Sequence, residues 1–254
     1  MKEFCIESNN IRLHCRLDLP RESQNCPLLI IIHGLTGYMD EDHLSALAEA
    51  ANEIGYAVLR ADLYGHGKSD GRFADHTVSI WLEEVLTVTD YAKSLSFVTE
   101  LYIAGHSQGG LVAALAAGMR PQDYRALILL SPALNIPEDA RQGVFLHDFR
   151  FDPEHIPESF GFDGRRLNGS YLADAWRIHS EDSLRKYDGP VLIIHGDQDE
   201  VIPLSVSREA AALCKNSRLI ILPGDDHDYH LHTGMMTEAV KQFLQETDIL
   251  DSDS

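Results

Sequence analysis

Along most of the chain, short continuous apolar runs alternate with segments whose apolar residues recur every three or four positions. The runs cover residues 28–32, 57–59, 101–104, 126–130, 191–194 and 219–222. Between them, Leu44, Leu47, Ala48, Ala51 and Ile54 share one helical face that stops at Gly55, and Trp81, Val85, Val88, Ala92 and Leu95 share another. Further helices are predicted at 111–117, 204–214 and 235–244. A strand with one wet face alternates apolar and polar residues, whereas a strand covered by helices on both faces does not. The rhythm therefore predicts a doubly wound, mostly parallel sheet of the α/β class. The opening differs: Ile11, Leu13, Cys15 and Leu17 alternate with polar partners, and Asn9-Asn10 separates 2–8 from 11–18, which predicts an antiparallel hairpin.

The rhythm fails between Leu130 and Val191, over roughly 60 residues, which is too long for a plain loop. This stretch holds eight of the twenty Phe, Tyr and Trp residues, so it reads as an inserted subdomain, an aromatic binding surface, or both. The expected organisation is a first core part at 1–130, a short aromatic-rich cap insertion at 131–189, a second core part at 190–247 and a frayed acidic tail at 248–254.

Charge narrows the function. Forty Asp and Glu stand against 21 Lys and Arg in 254 residues, a net charge of −19. With no basic cluster to release counterions from a phosphate backbone, nucleic acid is excluded as a partner, and anionic membranes are disfavoured for the same reason. Residues 1–8 lack an apolar leader and the run at 28–32 is too short to span a bilayer, so the expectation is a cytoplasmic protein. Cys5, Cys15, Cys26 and Cys214 form no C-x-x-C pair and read as small core or surface residues.

Chemistry concentrates at the ends of the apolar runs. Gly105-His106-Ser107-Gln108-Gly109 follows the run at 101–104 and opens a helix, the strand, turn and helix context of a nucleophile elbow. Glycines on both sides let the backbone turn sharply, and the helix N-terminus beside Ser107 can meet a developing oxyanion. A serine hydroxyl needs a base and an orienting acid, here in the order Ser, acid, His. After 191–194 comes His195-Gly196-Asp197-Gln198-Asp199, where Asp199 has the offset for the acid and Asp197 is the alternative. After 219–222 comes Pro223-Gly224-Asp225-Asp226-His227-Asp228-Tyr229-His230-Leu231-His232, where His227 is nearest the strand and His230 and His232 compete. Backbone N–H groups of Gln108 and of Leu35, in His33-Gly34-Leu35-Thr36-Gly37, are the expected oxyanion donors. His33, His66 and His106 read as structural. No metal or other cofactor is required by this chemistry.

These motifs, with the stretches 62–71 (Asp-Leu-Tyr-Gly-His-Gly-Lys-Ser-Asp-Gly) and 130–133 (Leu-Ser-Pro-Ala), resemble the α/β-hydrolase superfamily. Among its branches the chain is most similar to the bacterial feruloyl and cinnamoyl esterases. The resemblance implies the α/β-hydrolase fold and a serine carboxylesterase that hydrolyses hydroxycinnamate esters through an acyl-enzyme. It also implies that the insert binds the phenolic ring, with Asp139 and Tyr171 meeting the ring hydroxyl and Phe160 or Phe162 forming the aromatic wall. The only partner implied is a small-molecule ester; related esterases are often dimers, so a homodimer stands as an expectation. The alternatives are a medium-chain acylglycerol lipase or thioesterase of the same fold and a ligand-binding receptor that has kept the fold.

Overall fold

A computed structural model describes residues 1–21, 25–146 and 149–252. The hairpin forms first: β1 (Lys2–Ser8) and β2 (Ile11–Asp18) pair antiparallel from Lys2 opposite Leu17 to Ser8 opposite Ile11. Asn9 and Asn10 make the turn at φ of 49° and 64°, the left-handed pair that a two-residue hairpin requires and that Asn tolerates.

Alternating strands and helices follow: β3 (Cys26–Ile32), α1 (Asp42–Glu53), β4 (Ala57–Ala61), α2 (Val78–Ser94), β5 (Val98–His106), α3 (Gln108–Met119) and β6 (Ala126–Leu130). The insert contains α4 (Ile136–Arg141), β7 (Val144–Phe145), β8 (Phe149–Arg150), β9 (Ser159–Phe162), β10 (Arg165–Asn168), α5 (Ser170–Ala175) and α6 (Ser180–Lys186). The chain returns through β11 (Val191–Gly196), α7 (Leu204–Leu213), β12 (Ser217–Leu222) and α8 (Thr233–Ser252). One eight-stranded sheet results, in the order β1-β2-β4-β3-β5-β6-β11-β12. It is parallel from β4 to β12 and antiparallel only at β1, β2 and the β2–β4 pairing.

The continuous apolar run of β3 shows why both faces are buried. Leu28, Ile30 and Ile32 join the core beneath α2 and α3, while Leu29 and Ile31 join the core beneath α1 and α8. Helix α3 is buried on every side from Gln108 to Gly118, so it is apolar all round rather than striped. Parallel pairing sends the carboxyl ends of β3, β5, β11 and β12 to one edge, and the loops leaving that edge carry the candidate chemistry. No helix among the described residues is long and apolar enough to cross a membrane.

In the insert, β7 pairs with β8 and β9 with β10. Much of the aromatic enrichment is core: Phe145 lies edge-on to Phe160 and Tyr171 at 5.2 Å, and Phe149 stacks on Phe160 at 4.9 Å. Helix α8 runs on through residues 248–252 of the acidic tail. Asp248 is held there by the Tyr56 and Tyr102 hydroxyls, which donate to its carboxylate at 2.8 and 2.6 Å. Residues 253 and 254 lie outside the described residues.

One buried acid ties stability to pH. Glu84 of α2 is 3% exposed and its carboxylate accepts the Tyr64 N–H at 2.8 Å. Burial, outweighing that hydrogen bond, pushes the carboxyl up to about 8. Since the folded value exceeds the unfolded one, its stabilisation is complete below the ordinary carboxyl range and is lost as pH rises through about 8. Glu84→Gln keeps an acceptor oxygen and removes the charge. It is expected to melt at least ~4 °C above the parent at pH 8, with the gap closing by pH 5, as read by calorimetry at the two pH values.

Candidate active site

Strand β5 ends at His106, and the next residue, Ser107, turns the chain into α3 at φ 54° and ψ −121°. A side chain other than glycine at positive φ is strained, and the surroundings hold it: Ser107 N–H donates to the Leu130 carbonyl and Ala133 N–H donates to the Ser107 carbonyl, both at 2.9 Å. The flanking glycines are sterically required. A Cβ on Gly105 would lie 2.2 Å from the Gly109 carbonyl oxygen, and one on Gly109 would lie 2.4 Å from that of His33. The loop after β3 runs beside the serine, so that a Cβ on Gly34 would approach Ser107 Cβ to 3.0 Å.

The two carboxylates beyond β11 have separate partners. The Asp199 side chain is fully buried; its Oδ1 accepts the Val201 and Ile202 N–H groups at 2.8 Å and its Oδ2 lies 2.7 Å from His227 Nδ1. His195 Nε2 stands 3.1 Å from the same Oδ2. Burial alone would raise this carboxyl, but the contacts from His195 and His227 and the Ile202 N–H together hold it well below the usual carboxylate range. Asp197 is exposed and accepts the Gly224 N–H at 2.7 Å, so it ties two loops together and makes no bond to His227. Donation from Nδ1 to Asp199 leaves Nε2 as the basic nitrogen of His227.

The competing histidines face elsewhere. His230 Nδ1 pairs with Asp226 at 2.7 Å, and His232 Nε2 meets the Pro223 carbonyl at 3.1 Å, both at the surface. Asp225 is buried and accepts the N–H groups of Asp226, Leu231 and His232, which shapes the loop that presents His227. His33 does the same for the loop after β3, with Nδ1–H donating to the Gly34 carbonyl at 2.8 Å and Nε2 accepting the Leu63 N–H at 3.0 Å. His66 is buried beside it, and burial followed by the neighbouring His33 and His76 pushes it down to about 2.

Ser107, His227 and Leu35 line one cavity of about 370 Å³. Of the four expected ring contacts, Phe162 lines it as well. The other three lie elsewhere. Phe160 is packed within the insert core. Tyr171 is fully buried, and its hydroxyl donates to Gln108 Oε1 at 2.7 Å. Asp139 accepts from Asn135 Nδ2 at 2.7 Å and lines a separate cavity of about 660 Å³ bounded by α4, α6 and α7. The cavity at Ser107 is also bounded by Thr36, Glu41, Leu146, Asp163, Glu200 and Val201. Thr36 and Glu200 adjoin predicted motif residues and could have been found that way; Glu41 and Leu146 carry no local signal.

Two family models match the chain: serine aminopeptidase S33 over residues 23–151, just over half of it, and alpha/beta hydrolase fold over residues 166–232. Est1E from Butyrivibrio proteoclasticus, solved with ferulic acid bound, is 51% identical, with a TM-score of 0.95, covering 97% of this chain and 99% of that one. Among curated proteins, the lysophosphatidylserine lipase ABHD12 of Rattus norvegicus is 29% identical over 201 residues, 77% of this chain and 47% of the relative. That of Danio rerio is 30% identical over 197 residues, 76% of this chain and 48% of the relative. The chain thus spans about half the length of these curated relatives.

Proposed function

We propose that this chain, which belongs to the α/β-hydrolase family, is a serine carboxylesterase that hydrolyses hydroxycinnamate esters, feruloyl or cinnamoyl, through an acyl-enzyme. The observation that carries the reading is the strained Ser107 sharing a cavity with His227, which is joined to a buried Asp199, in a chain 51% identical to a protein solved with ferulic acid bound.

In the mechanism, His227 Nε2 takes the proton of Ser107 Oγ as the oxygen attacks the ester carbonyl. Asp199 holds the imidazole in the tautomer that donates through Nδ1 and stabilises the imidazolium that forms. The N–H groups of Leu35 and Gln108 meet the oxyanion, beside the positive end of α3. His227 then gives its proton to the departing alcohol and activates water for deacylation. A cytoplasmic location and a homodimeric assembly go with this reading and are tested by cell fractionation and sedimentation velocity.

Leu35, Leu146 and Phe162 give the cavity an apolar side suited to a flat ring, and Phe162 sits at the end of β9, supported edge-on by Phe145 at 5.2 Å. Burying a ring against such a wall contributes about 25 cal/mol per Å² of apolar surface. Phe162→Ser is therefore expected to lower kcat/KM for methyl ferulate by roughly 10–100-fold while changing p-nitrophenyl acetate less than about threefold. Equal losses on both substrates would make the insert a structural element and remove its part in substrate choice. The similarity to ABHD12 supports a second reading, an acylglycerol or lysophospholipid lipase, in which Phe162→Ser affects long-chain acyl esters instead.

A further inference from the structure

Three side chains next to the elbow, two buried and one partly buried, take no part in the reaction above. Glu41 caps α1, His43 lies in its first turn, and His106 is the last residue of β5, adjoining Ser107. His43 and His106 are 4% and 3% exposed, and their rings meet edge to face with centroids 4.4 Å apart. Among the described residues, Glu41 Oε2, His43 Nε2 and His106 Nδ1 are each buried without a hydrogen-bond partner. A buried polar atom left unpaired forfeits its hydration without return, and three such atoms gathered in one place are a shared defect that a single cation would satisfy. One ligand atom from each residue lies within 4.8 Å of the other two.

We propose that Glu41, His43 and His106 form a binding site for a divalent transition-metal ion of the zinc type. Two imidazole nitrogens with one carboxylate oxygen are a borderline-soft donor set that suits Zn²⁺ or Co²⁺ and disfavours Mg²⁺ and Ca²⁺, which take oxygen ligands. With bonds of about 2.0–2.1 Å, tetrahedral donors stand ~3.4 Å apart, so the side chains draw together by about an ångström as the ion binds.

The surroundings are those of a supported ligand set. His106 Nε2–H donates to the His227 carbonyl oxygen at 2.9 Å, which fixes the tautomer whose Nδ1 lone pair is free for a metal. Asp228 adds a carboxylate oxygen 3.8 Å from the same Nε2. Gly37 leaves room for the Glu41 carboxylate, since a Cβ there would fall 2.4 Å from its Oε2. Glu41 and His106 also border the catalytic cavity, so a water can complete the coordination from that side. An ion held this way fastens the start of α1 to the strand that carries Ser107. The site is structural in kind and stands independently of which ester the enzyme cleaves.

The test uses the full chain, stripped with a chelator and titrated with Co²⁺ alone. The expected result is one equivalent bound, with the intense visible d–d bands of a four-coordinate site, displaced by Zn²⁺, and a melting temperature raised by about 5 °C or more with saturating Zn²⁺. Glu41→Gln and His43→Asn should each weaken Co²⁺ binding at least tenfold and abolish the Zn²⁺-dependent rise in melting temperature. The double variant His230→Ala/His232→Ala, which removes the surface histidines, should bind as the parent does. Binding that is lost in the double variant and kept in Glu41→Gln, or no stoichiometric binding by the parent, overturns the proposal. Should either cluster variant fail to fold, the double variant and the parent melting curves decide the matter alone.

Discussion

Ser107→Ala is expected to reduce kcat for ester hydrolysis by about 10⁵–10⁶-fold, leaving roughly 10³–10⁴-fold catalysis over water from the oxyanion donors and binding. The Ser107 hydroxyl is the nucleophile in this account because the elbow places it in the cavity at the N-terminus of α3, where the developing oxyanion can be met. The fold should survive, since the backbone bonds that hold residue 107, to Leu130 and from Ala133, do not involve the side chain. Active-site labelling with a fluorophosphonate should fail in this variant and succeed in the parent. A receptor that had kept the fold without the chemistry would not label in either, and a variant that kept most of its activity would remove Ser107 from the mechanism.

The second large effect separates two neighbouring carboxylates. Asp199→Asn should cost about 10³–10⁴-fold in kcat, because an amide at this position can donate to His227 Nδ1 and so favour the tautomer whose Nε2 cannot accept the serine proton. The buried position makes the loss larger, since the Val201 and Ile202 N–H groups and His195 are all arranged for an anion. Asp197→Asn should change kcat less than about threefold, as that carboxylate is exposed and makes a loop-to-loop bond to the Gly224 N–H. Equal losses would leave the acid unassigned, and a reversed order would transfer the role to Asp197.

How much of this was legible depends on how far apart the determining residues lie. The sheet could be read because burial on both faces writes an unbroken apolar run into each central strand, as Leu28 to Ile32 shows. The hairpin could be read because the turn needs two residues at positive φ and Asn9-Asn10 supplies them locally. Asp199 and His227 were legible as residues just past strand ends, and 28 positions of separation closed to 2.7 Å only because β11 and β12 are parallel neighbours.

The insert was opaque for the opposite reason. Its aromatic content is visible, but Phe160 and Phe162 share one face of a four-residue strand, so which of them reaches the cavity depends on where that strand lies against the core, and Tyr171 turns inward to donate its hydroxyl to the Gln108 side-chain amide oxygen 63 positions away. The start of the acidic tail was opaque for a similar cause. Asp248 stays helical through phenols at positions 56 and 102, which no local pattern announces. The cluster of Glu41, His43 and His106 likewise assembles from two segments, and nothing in either predicts the other.

The claim that most needs a direct measurement is the acyl group. A cavity of about 370 Å³ with Leu35, Leu146 and Phe162 along one side suits a rigid flat ring, whereas an acylglycerol lipase wants a groove for a flexible aliphatic chain. Steady-state kcat/KM for methyl ferulate divided by that for p-nitrophenyl octanoate reads the difference in transition-state binding in one number. The proposed function predicts a ratio above about ten, despite the better leaving group of the octanoate. A ratio below about 0.1, with octanoate hydrolysed efficiently, would contradict it and give the site to an aliphatic acyl substrate.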